Sequence, residues 1–297
     1  MPPPLTPPPN PKPRAPMLRA PAGAIDTHIH LFGPASKYPF DPGSRYVSND
    51  MLPATNIALQ DKLGLSMAIV ISGGGYGLSY RHLADVLAQP ANTKRFRGVA
   101  LLPPQTTEAE IATLDALGVR GARFVSPGHG AHLPHLANSA ALIRRIVAAG
   151  WHIQYYPHGL DLPEHRDQLL SLGCDIVLDH FAHIPAADGP NQRAFRCLLD
   201  MLSTGKVWVK LSGPMRITPE EPPYPSVTPL ARALVRHAPE RLLWGSDWPH
   251  VNMFNRTMPN DGDLLDRLLD WAPDEATQRK ILVDNPRKLY RLDPVPA

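Results

Sequence analysis

The chain has 297 residues, 43% of them hydrophobic, and a formal net charge of +3. That length suits one large barrel or two ordinary domains, and so slight a charge with no long Lys/Arg run argues against a nucleic-acid surface. The two cysteines, Cys174 and Cys197, form no CxxC spacing and no disulfide framework, which is the usage of a reducing, cytoplasmic chain, and no apolar run is long enough to span a membrane.

Residues 1–22, beginning MPPPLTPPPNPKPRAP, lack the apolar stretch of a secretory signal and read as a flexible, proline-rich tail ahead of one folded unit over 23–297. A docking role for SH3-like partners is the rival reading of that tail. From about residue 24 a β/α rhythm sets in. Strand-like runs fall at Ala24–His28, Met67–Ser72, Phe96–Leu102, Gly121–Phe124, Trp151–Tyr156, Asp175–His180, Val207–Ser212 and Leu242–Asp247. Several are near-continuously apolar, as strands covered on both faces must be.

Helix-like segments alternate with them: Ile57–Leu63, Tyr80–Leu87, Thr107–Leu117, Ser139–Ala149, Leu162–Leu172, Arg193–Leu202, Val227–His237, Leu264–Trp271 and Asp274–Val283. Thr107 with Glu110 three residues on forms a capping box, and Gly150 is a fitting helix terminator. Eight such units predict an α/β fold, a distorted TIM-type (β/α)₈ barrel. No GxGxxG follows the first strand, which removes the usual dinucleotide fingerprint, and Gly73-Gly74-Gly75 lacks the Lys-Ser/Thr of a phosphate loop. The long connections 31–56 and Pro214–Tyr224 are expected over the barrel mouth, as walls or lids.

The chemistry-bearing residues cluster at strand ends. His28 and His30, two apart on one strand, project to the same face, as a metal pair or a catalytic patch requires; a satisfied structural pair is the alternative. His180 ends the sixth run, with Asp179 expected on the opposite face. Asp247 ends the eighth and suits proton transfer with water, the alternative being a helix cap. Arg123 and Arg216 can fork onto a substrate carboxylate, or serve as ordinary ion-pair partners. Tyr156 is a hydrogen-bond donor or a core tyrosine. His183 is a weaker loop candidate, and His250 is either a second proton carrier or a loop anchor.

IDTHIHLFGP, LDHFAH, LLWGSDWPH and VDNPRKLY together resemble the amidohydrolase superfamily, in its 2-pyrone-4,6-dicarboxylate lactonase branch with the sulfomuconolactone hydrolases and sugar-lactone enzymes. The resemblance runs over residues 22 to 291. It implies a barrel that hydrolyses lactones, with His28, His30, His180 and Asp247 at the reaction centre and Arg123, Arg216 and Tyr156 holding a small anionic substrate. It implies either no metal or one Zn²⁺ on His28, His30, His180 and Asp247. Arg123 and Tyr156 stand where two-metal members carry a bridging Lys or Glu. The chain departs from the dicarboxylate pattern at Ser72–Gly77, at Val125–Gly130 and at His183, where the pattern has an arginine. The expected substrate is therefore a related lactone with fewer carboxylates or a different ring, opened by water with Asp247 as general base. Rival activities on the same barrel are a metal-dependent decarboxylase, a C–N hydrolase, or binding of an organic acid without turnover.

Overall fold

In the computed structural model, residues 3–129 and 133–295 are described. Eight parallel strands follow one another in sequence order: β1 Ile25–Ile29, β2 Met67–Ile71, β3 Phe96–Ala100, β4 Val119–Val125, β5 His152–Tyr156, β6 Ile176–Leu178, β7 Val207–Ser212 and β8 Leu242–Gly245. The sheet closes at the mouth, where Asp247 N donates to His28 O (2.9 Å) and His30 N to Trp248 O (2.8 Å). Lower on this seam a side chain does the joining. Asp26 Oδ1 accepts from the backbone N–H groups of His28 and Ser246, both at 3.0 Å. Burial pushes that carboxyl up to about 7, against the pull of these hydrogen bonds.

Outside the strands lie α1 Pro53–Leu63, α2 Arg81–Leu87, α3 Glu108–Ala116, α4 Ala140–Ala148, α5 Leu162–Leu170, α6 Arg193–Ser203, α7 Val227–His237 and α8 Asp261–Trp271. This is a TIM-type (β/α)₈ barrel. α1 begins four residues before the expected start because Pro53, with its fixed φ, opens the helix. The capping box of α3 forms between Thr107 and Glu110. The last expected helix is instead three short pieces, Glu275–Arg279, a π turn at Lys280–Asp284, and Asn285–Leu289. Pro286, which has no N–H to give the preceding turn, sits just past the π turn. Leu289 and Tyr290 behind it close the N-terminal end of the barrel against Ile25, Ile69, Val177, Trp208 and Leu243.

Residues 1–22, expected as a flexible tail, are described from residue 3 onward. Residues 3–22 lie on the barrel: Arg14 pairs with Asp263 and Asp266 of α8, Leu18 is buried, and Leu5 forms a parallel bridge with Val47. There Thr6 N donates to Val47 O (2.8 Å) and Val47 N to Pro4 O (2.9 Å). Proline density does not preclude docking, since an extended segment can still pair where a non-proline N–H or a carbonyl is offered. Among the described residues no helix is long and apolar enough to cross a membrane.

Candidate active site

Parallel strands present their C-terminal ends to one face, and the sequence has placed its polar residues at those ends. His28 and His30 leave β1, His180 and Asp179 follow β6, Lys210 lies within β7, and Asp247 follows β8. The three imidazoles converge on one oxygen. Asp247 Oδ1 lies 3.8 Å from His28 Nε2, 3.9 Å from His30 Nε2 and 3.8 Å from His180 Nε2. All four side chains are buried.

Their far ring atoms are held. His30 Nδ1 lies 2.8 Å from the Ile71 carbonyl, which only accepts, so the hydrogen is on Nδ1 and the Nε2 lone pair faces the centre. His180 Nδ1 meets Ser212 Oγ at 2.9 Å, and His28 Nδ1 sits 3.3 Å from Asp179 Oδ1 and 3.3 Å from Lys210 Nζ. Burial holds the rings neutral, lowering His28 to about 4 and His30 to about 3, with Lys210 and His28 respectively adding to the effect. His180 also lies well below its ordinary value, chiefly by burial. Burial alone would push Asp247 upward. The Arg216 guanidinium outweighs it and holds the carboxyl well below the usual range. Arg216 grips Asp247 Oδ2 through two nitrogens at 2.8 Å each.

A ring of imidazole nitrogens and one carboxylate suits a single Zn²⁺ ion. Among the described residues His28, His180 and Asp247 offer ligand atoms within 4.8 Å of one another, a group that could hold a metal ion; His28 Nε2 is buried without a hydrogen-bond partner, and His30 stands beside the group with its Nδ1 fixed on Ile71.

Beneath the four residues lies a buried polar layer that the sequence reading did not assign. Asp179 was expected on the opposite face from His180; it points into the barrel. The cause is the backbone. Asp179 keeps extended backbone and shares the inward face of Val177, while His180, Phe181, Ala182 and His183 all take positive φ (49°, 53°, 55° and 54°), so alternation ends at Asp179 and His180 turns inward as well. Four non-glycine residues in the left-handed region carry a conformational cost that recurs at functional sites. Asp179 Oδ2 accepts from Arg123 Nε (3.1 Å) and NH2 (3.0 Å) and from Gln154 Nε2 (3.1 Å). Lys210 Nζ donates to Gln154 Oε1 at 2.8 Å and lies 3.6 Å from Asp179 Oδ1. Burial lowers Lys210 to about 8, with Asp179 opposing.

Gly213 was also missed. At φ +55° a Cβ there would sit 2.8 Å from His180 Nδ1 and 3.2 Å from Asp247 Oδ2, so only glycine lets β7 turn this close to the centre.

Above the centre opens a cavity of about 230 Å³ whose lining includes His30, Tyr46, Arg123, Tyr156, Arg216 and Asp247. Gly73 and Gly74 bring backbone to its wall, as does the 31–56 connection through Arg45 and Tyr46. Arg123 lies 5.1 Å over the Tyr156 ring. His183 packs 4.2 Å behind the same ring, outside the cavity lining, and His129 forms the near wall at 4.4 Å. His250 is an anchor: its Nε2 lies 3.1 Å from Asp261 Oδ1 at the start of α8.

Comparisons with known proteins bear on this geometry. The family described as Amidohydrolase matches residues 25–292. A 2-pyrone-4,6-dicarboxylate hydrolase of Comamonas testosteroni is 34% identical over 94% of this chain and 93% of its own length. A 4-sulfomuconolactone hydrolase of Rhizobium radiobacter is 35% identical over 91% of this chain and 90% of its own. A D-galactarolactone isomerase of Agrobacterium fabrum is 32% identical over 95% and 96%. With a barrel whose strand ends gather three histidines and an aspartate, and a family match over nearly its whole folded length, the chain is a member of the amidohydrolase family.

Proposed function

We propose that the protein is a hydrolase that opens a small, carboxylate-bearing lactone by attack of water, in the breakdown of aromatic compounds or organic acids. One observation carries the reading: a carboxylate oxygen equidistant from three neutral imidazoles, on the floor of a cavity of about 230 Å³ with arginines in its wall. That volume fits a single substituted ring. The names of the two hydrolase relatives point to the same chemistry.

Asp247 is the general base. Oδ2 is held by Arg216, leaving Oδ1 to take a proton from water as the water attacks the lactone carbonyl. The C–O bond of the ring then breaks, and the proton returns from Asp247 to the departing ring oxygen. Tyr156 stays protonated because burial raises its pKa, so its hydroxyl donates to the developing oxyanion beside the remaining N–H groups of Arg123. His28, His30 and His180 orient the water around Oδ1. The same four residues would hold a Zn²⁺ ion, and such an ion supplies Lewis-acid activation of water or carbonyl when bound.

In a panel of muconolactones, pyrone carboxylates and sugar lactones, at least one carboxylated member is expected to be ring-opened, with loss of ring absorbance, release of one proton and uptake of one oxygen from ¹⁸O-water. No turnover across the panel, or a product isomeric with its substrate, sinks the hydrolase reading. The docked N-terminal segment enters here, because it pins Val47 beside Tyr46 in the cavity wall. Deleting residues 1–10 is expected to raise KM by about 3- to 10-fold, the loss of one or two backbone hydrogen bonds, with kcat within about twofold. Steady-state kinetics on the deletion variant check it, and an unchanged KM would reduce the segment to packing.

A further inference from the structure

Three arginines line the cavity, Arg45, Arg123 and Arg216, and their surroundings differ. Arg216 is bonded through two nitrogens to Asp247, and Arg123 through two nitrogens to Asp179. Each buried guanidinium thus faces a buried carboxylate, as burial of charge requires. Both keep N–H groups for polar contact, but neither offers an uncompensated charge.

Arg45 stands apart. Among the described residues its one hydrogen bond runs from NH2 to the Gly128 carbonyl at 2.8 Å, across the mouth, and no carboxylate lies within ion-pair distance. The side chain is exposed at the rim, yet its backbone is fixed on both sides. Ser44 Oγ donates to Tyr46 O at 2.6 Å, Tyr46 is buried in the wall, and Val47 is paired to Pro4 and Thr6. A cation held over a cavity mouth with a carbonyl for its neighbour is a receptor for an anion arriving in that cavity.

We propose that Arg45 is the specificity residue for the charged group of the substrate: it selects a lactone whose carboxylate points outward to the rim, away from the carbonyl over Asp247. The inference rests on the lactone reading above and deepens it by giving the substrate's orientation. The ring enters carbonyl first, and its carboxylate remains at the half-solvated mouth. One such anion is matched by the one cavity guanidinium that, among the described residues, has no carboxylate partner, which favours a monocarboxylate over a lactone with a second carboxylate buried at the floor.

The test compares a carboxylated lactone with its methyl ester in the wild type, Arg45→Ala and Arg45→Gln. The glutamine variant retains an N–H donor for Gly128 and removes the charge, so it separates attraction of the anion from bridging of two loops. Both variants are expected to raise KM for the carboxylate by about tenfold or more, one charge-assisted hydrogen bond, with kcat within about twofold. Turnover of the ester should not change, and the wild-type preference for the acid should collapse. An R45Q enzyme with wild-type KM for the acid, or an equal loss on acid and ester, overturns the proposal. Should no lactone turn over, the hydrolase reading fails separately. Calorimetric binding of furan-2-carboxylate then decides for Arg45: weakening in R45Q supports its role, and unchanged affinity refutes it.

Discussion

Asp247→Asn is expected to lower kcat by about 10²- to 10⁴-fold while KM stays within a few-fold, the signature of an interaction made chiefly in the transition state. The isosteric amide keeps an oxygen for Arg216 and a similar shape at the centre, so the change isolates loss of the basic oxygen. The position of Asp247 favours geometry over basicity. Arg216 holds it well below the ordinary carboxylate range, which keeps it ionised but weakens it as a proton acceptor. Its folded pKa lies below the unfolded value near 4, so the group stays a carboxylate through the neutral range. An acid limb of the pH–rate profile set by Asp247 accordingly lies below about pH 4. A D247N enzyme with kcat within tenfold of wild type would remove the carboxylate from the proton-transfer step, provided that its melting curve shows a folded protein.

The architecture was open to a sequence reader because each unit of a parallel barrel announces itself locally: an apolar run, a turn, an amphipathic helix. His28, His30, His180 and Asp247 stood out for the same reason, each being a polar residue that ends an apolar run. The layer below was hidden by what makes it unusual. Lys210 sits inside Val207–Ser212, where a lone lysine reads as an interruption. Yet period-two alternation puts it on the same face as Trp208 and Ser212, both buried, and puts Gln154 on the face of His152 and Tyr156. That signal was available from the strand register alone. That Asp179 and His180 share the inward face was not, because alternation allows only one of two neighbours inside and the left-handed turn over His180–His183 brings in the second, with no glycine there to advertise it. Arg45 was equally out of reach, since a charge becomes significant only when the partners of every neighbouring charge are known.

The second large effect is on stability, at Asp179→Asn. This carboxylate has no exposed surface, and it takes two hydrogen bonds from Arg123, one from Gln154, and the near charge of Lys210. Neutralising it strands two cations inside the barrel. Removing one member of a buried ion network costs about 3–5 kcal/mol, which in a domain of this size lowers Tm by roughly 5–15 °C. Lys210→Met should cost less, because Asp179 then keeps its pairing with Arg123, and the ranking of the two variants in a thermal melt is the sharper check. The pH dependence has a definite sign. Burial would raise the Asp179 pKa, but Arg123, Lys210 and His28 together hold it well below the ordinary value. Its stabilisation is therefore complete above the unfolded-state pKa near 4 and fades as pH falls through the depressed folded one. The stability gap between wild type and D179N should be constant from neutral pH down to about 5 and narrow below about 4. Equal melting of the two proteins at neutral pH would mean that the layer under the histidines is not held together by this charge, and the orientation of His28 would need another cause.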